Sequence, residues 1–426
     1  VRWGRRENDI DRACHGAETF VVLIPTRFDR QVPQVALVLA ATLVIIFVRR
    51  PDAFLNPQFW AEDFLFLGDA EHGGWSTLFT PKTGYLHLIP RTIAGMATFL
   101  DPLLQPAFFS AGALVVLLVV ILGCLSARHD LPGKPLLALA VVLVPHSGEV
   151  FFNPTNAQWI AALALLLTLI KRDPSTACQW ISDLGVLIFA GLSGPFVLFA
   201  APFYALRALQ RRSTASSVLL LVVVAAASTQ TWFIWQGPPD NEIVGEFSAF
   251  SLWANVSFRF PYTLFFGVSA RPEFGRVAAI AVGSLIILFV GVASLRKHPH
   301  RRELLIFFGF TALLLASTTV RKRFDLWNFP DLADGDRYFF IPKVVLLWVV
   351  VTVASTLVAA RWIRWTATAL LAAGFIFNAP RYRFQPYKDH AWYSLCPDIR
   401  AGKTVIVTIN PDWTFNYQRR GVFEWR

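Results

Sequence analysis

The chain has 426 residues, of which 55% are hydrophobic and 16% charged, with a mean hydropathy of +0.50. Soluble domains carry roughly 25% charged residues, whereas apolar runs of membrane-spanning length recur here, so the composition predicts an all-α polytopic membrane protein. The net charge of +11 does not point to nucleic acid, because the basic residues lie beside the apolar runs.

Residues 1–32 form a basic segment with Arg2, Arg5, Arg6, Arg12, Arg27 and Arg30, read as cytoplasmic. Its one apolar run, Phe20–Pro25, is too short for a signal-peptide core. The first residue is Val and the single methionine is Met96, as expected of an alternative start codon or a truncation.

About 11 transmembrane helices are predicted, near 33–48, 103–125, 135–147, 156–170, 180–192, 195–206, 217–235, 276–295, 304–319, 342–360 and 365–379. Several are shorter than the ~20 residues an untilted span needs. Lys171 and Arg172 on one side, and Arg207, Arg211 and Arg212 on the other, should both be cytoplasmic. The break "GLSGP" (Gly191–Pro195) between them therefore predicts a hairpin of two short helices.

With the N-terminus inside, the transmembrane domain 33–379 exposes outer loops 49–102, 148–155, 236–275 and 320–341. Residues 380–426 are expected to form a small outer C-terminal α/β cap, in which "KTVIVTINPDW" (Lys403–Trp413) alternates like a strand. Cys14, Cys124, Cys178 and Cys396 show no spacing for a disulfide framework or a zinc site.

Three outer clusters carry chemistry. The first is "FWAEDFLFLGDAEHGGW" (Phe59–Trp75). If 61–72 is a helix, Glu62 and Asp69 share a face, and Asp63 lies one position round. Phe59, Trp60, Phe64 and Phe66 would rest at the membrane interface, and Glu71 would be solvated. A carboxylate partly desolvated there is a stronger base when ionised and can take a proton from a hydroxyl. The plainer reading is solvated loop acids, or caps of an interfacial helix. Beyond it, "PKTGYLHLIPR" (Pro81–Arg91) sets Lys82, His87 and Arg91 along an interfacial stretch. His87 would contact a phosphate or a hydroxyl, unless the stretch only anchors through Tyr85 and Arg91.

The second cluster is "PHSGEVFFNPTNAQW" (Pro145–Trp159), with Glu149, Asn153, Asn156, Gln158 and Trp159. Amides offer donors and acceptors together and suit sugar hydroxyls; capping of the next helix by Asn153 or Asn156 is the alternative. The third, Val320–Lys343, holds Arg321, Lys322, Arg323, Arg337 and Lys343 in a loop expected outside, against the charge rule. Arginine forks match phosphate oxygens, in a specific ligand or in anionic phospholipid generally. No Gly-rich phosphate loop, HExxH or GxSxG stands out, and the DxD at Asp334–Asp336 lacks a soluble domain. A sugar donor would have to come from the membrane.

"WAEDF" (Trp60–Phe64) resembles the tryptophan, two residues, aspartate, aromatic arrangement of some GT-C superfamily glycosyltransferases, which use polyprenyl-phosphate-linked sugars; the match falls on Asp63. The inside N-terminus, acidic first outer loop, short central helices and small C-terminal segment are similar too. The large soluble C-terminal domain of oligosaccharyltransferases is missing, which argues against protein N-glycosylation. The resemblance implies inverting sugar transfer on the outer face of a bacterial inner membrane, to an envelope glycan or lipid-linked acceptor. Asp63 would be the base, and Glu62 would assist, orient the acceptor or hold a divalent metal (Mg or Mn), the one cofactor considered. Arg337, Arg323, Arg91 and Lys343 would bind the donor phosphate. His87, Glu149, Asn153, Asn156, Gln158 and Trp159 would bind sugar or acceptor. The expected partners are the polyprenyl-phosphate sugar, the acceptor and the bilayer, with no nucleic acid. Competing readings are an O-antigen ligase or polymerase, relying on outer arginines and a histidine, and a lipid or polysaccharide transporter.

Overall fold

The computed structural model describes residues 28–237, 249–267, 275–296, 298–321, 335–356, 360–421 and 423–425. The chain opens with α1 (Phe28–Arg49), the short α2 (Asp52–Leu55), α3 (Ala61–Gly73) and α4 (Leu88–Ala97). Then come α5 (Gln105–Leu125), α6 (Lys134–Leu143), α7 (Ala157–Ile170), α8 (Ala177–Gly191), α9 (Phe196–Arg211) and α10 (Thr214–Gln236). The second half holds α11 (Ala249–Ser257), α12 (Thr263–Phe266), α13 (Gly275–Leu295), α14 (Arg301–Arg321), α15 (Arg337–Ser355), α16 (Arg361–Asn378) and α17 (Trp392–Arg400).

A helix lies over each of the eleven predicted apolar runs. Among the described residues five are long and apolar enough to cross a membrane: Val32–Arg49, Pro102–Leu125, Thr214–Gln236, Val277–Leu295 and Arg337–Ser355. The apolar helix α7 has 14 residues, which at about 1.5 Å rise each falls short of a ~30 Å hydrocarbon core. Instead, α7 is buried at every position and forms the centre together with α15, whose apolar window is 78% buried. The windows of α1 and α10 are 22% buried and turn Leu37, Val44, Leu221 and Trp235 outward. An outside made of such residues is suited to lipid rather than water.

The expected break is present. The chain turns between α8 and α9 at Gly191–Pro195, where Gly194 holds a φ of 103° that disfavours any side chain. The two far ends of this hairpin meet again in an ionic cluster. Asp183 accepts from Arg128 at 2.6 Å and lies 3.6 Å from Lys171, while Asp173 accepts from Arg207 at 2.6 Å and Arg211 at 2.8 Å. With Ser213 and Ser216 also donating to Asp173, these bonds tie the ends of α7 and α9, the first half of α8 and the start of α10 together.

After α17 the chain forms an antiparallel sheet in the order β1 (Val405–Ile409), β2 (Trp413–Tyr417), β3 (Phe423–Trp425). The strand expected over Lys403–Trp413 is shorter than its alternation implies, because the chain turns at Asn410–Asp412 and Trp413 already belongs to β2. Val407, Ile409, Phe415 and Tyr417 form one apolar face, and Phe59, Phe64, Phe66 and Leu67 of the α3 region pack against it with Trp392. This corrects the interfacial placement of Phe59, Phe64 and Phe66, which are at most 2% exposed. A sheet face cannot stay bare, and these rings are its cover. The contact is close at Gly68, where a Cβ would run into the Phe423 ring.

Candidate active site

Four helices begin at the wall of one cavity of about 220 Å³. Glu62 is the second residue of α3, Gln158 the second of α7, Phe196 the first of α9 and Arg337 the first of α15, and all four line it. Lys82, Thr83, Tyr85 and His87 from the connection before α4, Thr155, Asn156 and Trp159, and Ser317 and Thr318 of α14 add to the lining. Helix N-termini carry unpaired N–H groups and a partial positive charge, so the wall favours an anionic group. This convergence was not readable from any one motif.

The acidic motif divides. Glu62 reaches the cavity and is half-buried. Asp63, one position round the helix, is 2% exposed and turns behind the lining. Its Oδ1 accepts from Thr155 N at 2.8 Å and Thr155 Oγ1 at 2.7 Å. Burial holds the Asp63 carboxyl well above the ordinary carboxylate range, against the pull of the two Thr155 bonds and with a push from Glu62. Asp69, seven residues after Glu62 on α3, is paired with Arg91 at 3.3 Å. Glu71 corrects its expectation of solvation: its side chain is buried, accepts from Tyr417 Oη at 2.7 Å and lies 3.6 Å from Arg419. Burial raises its pKa too.

The second cluster meets the third. Glu149 forms an ion pair with Arg337, whose guanidinium also lies 5.3 Å from the Tyr338 ring centroid. Burial raises the Glu149 pKa although Arg337 opposes it. Asn153 is fully buried and builds the turn, donating to Glu149 O at 2.6 Å and accepting from Asn156 N at 2.9 Å. Asn156 lines the cavity while donating to Glu149 O at 3.1 Å. Trp159 packs edge-on against Phe196 and Tyr338, with centroids at 4.7 Å and 5.2 Å.

His87 is held by the α8–α9 turn. Leu88 N donates to Leu192 O and Gly194 N to Leu86 O, both at 3.0 Å. The ring lies 4.6 Å from Tyr85 and 5.4 Å from Phe66 between centroids, and Nε2 is 3.1 Å from Lys82 O. Burial pushes the imidazole pKa down to about 3, so it is neutral.

The cavity therefore brings together Glu62, His87, Asn156, Gln158, Trp159 and Arg337, with Asp63, Glu149 and Asn153 immediately behind. Two expected phosphate ligands are elsewhere. Arg91 is buried against Asp69 and the Phe66 ring, and Lys343 is buried between Asp336 Oδ1 at 2.7 Å and Pro145 O at 3.3 Å. Arg323, with Lys322, lies outside the described residues. The sequence reading missed Thr155, which carries Asp63, and set aside with its DxD Asp336, which accepts from Ser147 N at 2.8 Å and lies 3.6 Å from His146. Among the described residues no three His, Cys, Asp or Glu side chains are grouped to hold a metal ion. Comparison with protein-family models, curated proteins and solved structures finds no match to this chain, so the site is read from its own chemistry.

Proposed function

We propose that this chain is a GT-C-type membrane glycosyltransferase that moves a sugar from a polyprenyl-phosphate donor to an envelope glycan or lipid-linked acceptor. The observation that carries the reading is the meeting of a carboxylate, an ion-paired arginine and unpaired polar groups at one cavity where four helices begin. The eleven helices over the apolar runs form its membrane domain, the short ones crossing as buried or paired elements. The ionic cluster of Arg128, Lys171, Arg207 and Arg211 lies at the end of the α8–α9 hairpin away from the Gly191–Pro195 turn, and the cavity lies at the turn. Positive residues favour the cytoplasmic side, which supports a cavity opening to the outer side of a bacterial inner membrane.

The roles follow from burial. Glu62 takes the proton of the acceptor hydroxyl as that oxygen bonds to the anomeric carbon. The bond from that carbon to the phosphate oxygen breaks, and polyprenyl phosphate leaves with the electron pair. A single displacement inverts the carbon through an oxocarbenium-like transition state, as in glycoside hydrolysis. Arg337 and the helix N-termini oppose the charge growing on the phosphate. Asp63 acts through Thr155 as a positioning residue, because its own carboxyl is covered. A ligase-type reading would rest on His87 as base, and an imidazole at about 3 is a weak one.

Mass analysis of lipid-linked sugars and envelope glycans from a deletion strain tests this. Loss of one sugar from the envelope, with its polyprenyl-phosphate form accumulating, is expected. Unchanged glycans together with unchanged lipid-linked sugars would overturn the reading.

A further inference from the structure

Arg337 lines the cavity and is paired there with Glu149, which stands on the loop 145–149 before α7. Three successive residues fasten that loop to α15. Ser147 N donates to Asp336 Oδ2 at 2.8 Å, and Lys343 Nζ donates to Pro145 O at 3.3 Å. His146, between them, has Nε2 3.6 Å from the same Asp336 oxygen. Its Nδ1 accepts from Gly148 N at 2.9 Å, so in the neutral ring Nε2 carries the hydrogen and faces the carboxylate. Lys343 Nζ donates to Asp336 Oδ1 at 2.7 Å and closes the set.

Two features set this ion pair apart from ordinary helix packing. Asp336 is the N-cap residue of α15, where an aspartate usually accepts from its own helix, yet its side chain makes no such bond. Both of its oxygens are committed to Lys343 and the loop instead. The pair is also buried, with Asp336 6% and Lys343 1% exposed, and Lys343 lies in the apolar span Arg337–Ser355. Apolar residues of the same shape usually stabilise such a place as well as an ion pair or better. What the pair supplies is register. Asp336 directly precedes Arg337, and its hold on Ser147 fixes where Glu149 stands two residues later. The Arg337 side chain is 37% exposed, so without Glu149 its long stem is free to take other rotamers.

We propose that Asp336 is a positioning residue for Arg337: paired with Lys343, it holds Ser147 so that Glu149 keeps the guanidinium at the cavity wall. That the guanidinium meets a lipid phosphate there rests on the transferase reading, whereas the positioning itself does not. Arg50 also grips the loop, donating to Gly148 O at 3.2 Å, so a test has to separate the two holds.

Labelling of arginines by phenylglyoxal does so, read by peptide mass spectrometry on the full-length chain in lipid nanodiscs. Asp336→Leu combined with Lys343→Met removes the charges and the acceptor together and should not lower Tm. Arg337 should then be labelled roughly fivefold faster, as for loss of a partly exposed ion pair, while the exposed Arg212 and Arg361 keep their rates. Asp336→Asn combined with Lys343→Met keeps an oxygen for Ser147 N and should restore the wild-type rate at Arg337. Equal rates in the two double variants would overturn the proposal and leave the loop to Arg50. Hydrogen exchange on the wild type tests the same link without any variant. Ser147 is exposed, so slow exchange of its amide, by about tenfold or more, reports the bond to Asp336 rather than burial. Exchange at the rate of an open amide would overturn the proposal as well. Bare polyprenyl phosphate should slow the labelling of Arg337 in the wild type. If it does not, while the two double variants still differ, the transferase reading loses its phosphate contact and the positioning of Arg337 stands.

Discussion

Asp63 Oδ1 accepts both the amide hydrogen and the hydroxyl hydrogen of Thr155, 92 residues later in the chain. One oxygen thus fixes the start of α3 against the loop that leads into α7, and the carboxyl is buried in doing so. Because its folded pKa is raised, the protonated form is favoured by folding. Its contribution to stability is full below the unfolded value of 3.8 and is lost as the pH rises through the raised folded value. Asp63→Asn keeps an acceptor oxygen and cannot ionise. Thermal unfolding in nanodiscs should therefore show the wild type losing stability relative to Asp63→Asn as the pH rises across that window. A difference that is flat with pH, or that grows as the pH falls, would contradict the burial argument.

Glu62 and Asp63 are neighbours in sequence with separate environments, and transfer assays distinguish their roles. Glu62→Gln should lower kcat by roughly 10²–10⁴-fold, the usual size of a general-base contribution, with donor KM little changed. Asp63→Asn should retain most of the transfer, because Thr155 still finds an acceptor. Asp63→Leu should lose activity together with stability. If Asp63→Asn abolished transfer in a folded protein and Glu62→Gln did not, the base would be Asp63, as the motif resemblance alone implies.

Much of this arrangement is legible in the sequence, for a physical reason. Helices in an apolar chain are announced by composition, so each predicted run has its helix, and the "GLSGP" break is where glycine and proline must interrupt one. The helix of α3 and the polar character of Pro145–Trp159 were likewise readable locally. What was not readable depends on partners far along the chain. Glu71 looks solvated until Tyr417 and Arg419 cover it, and Phe64 looks interfacial until the C-terminal sheet does. Arg91 and Arg337 look alike as cations. Only the fold gives one to Asp69 behind the cavity and sets the other in its wall beside Glu149.

The ionic cluster at the far end of the hairpin should be costly to break. Asp183 has no exposure and serves both Arg128 and Lys171. Asp183→Asn leaves two poorly solvated cations facing a neutral amide. Removing one partner of a buried ion pair costs about 3–5 kcal/mol, so a clear loss of Tm is expected. Polyprenyl phosphate binding at 20 °C or so should persist in the fraction that remains folded, since the cavity lies at the other end of α8. Unchanged Tm would mean that the cluster is solvated and does not hold the helices together.

The contact between α3 and β3 gives the most direct check on how the C-terminal segment supports the site. Gly68 lies on the helix whose first turn holds Glu62 and Asp63, and any Cβ there would enter the Phe423 ring. That ring is stacked on Phe415, at 5.5 Å between centroids, so it has little room to withdraw. Gly68→Val should therefore push β3 away at a cost of about 1–3 kcal/mol, typical of overpacking. Phe423→Ala should relieve the clash, so the double variant should be less destabilised than the sum of the two single ones. Limited proteolysis reads the same event, with faster cleavage after Arg419 or Arg420 in Gly68→Val than in wild type. Transfer should fall along with protection, because α3 carries both the displaced surface and the carboxylate at the cavity. If Gly68→Val loses the protection of β3 while kcat stays unchanged, the sheet is only a cover and plays no part in positioning Glu62.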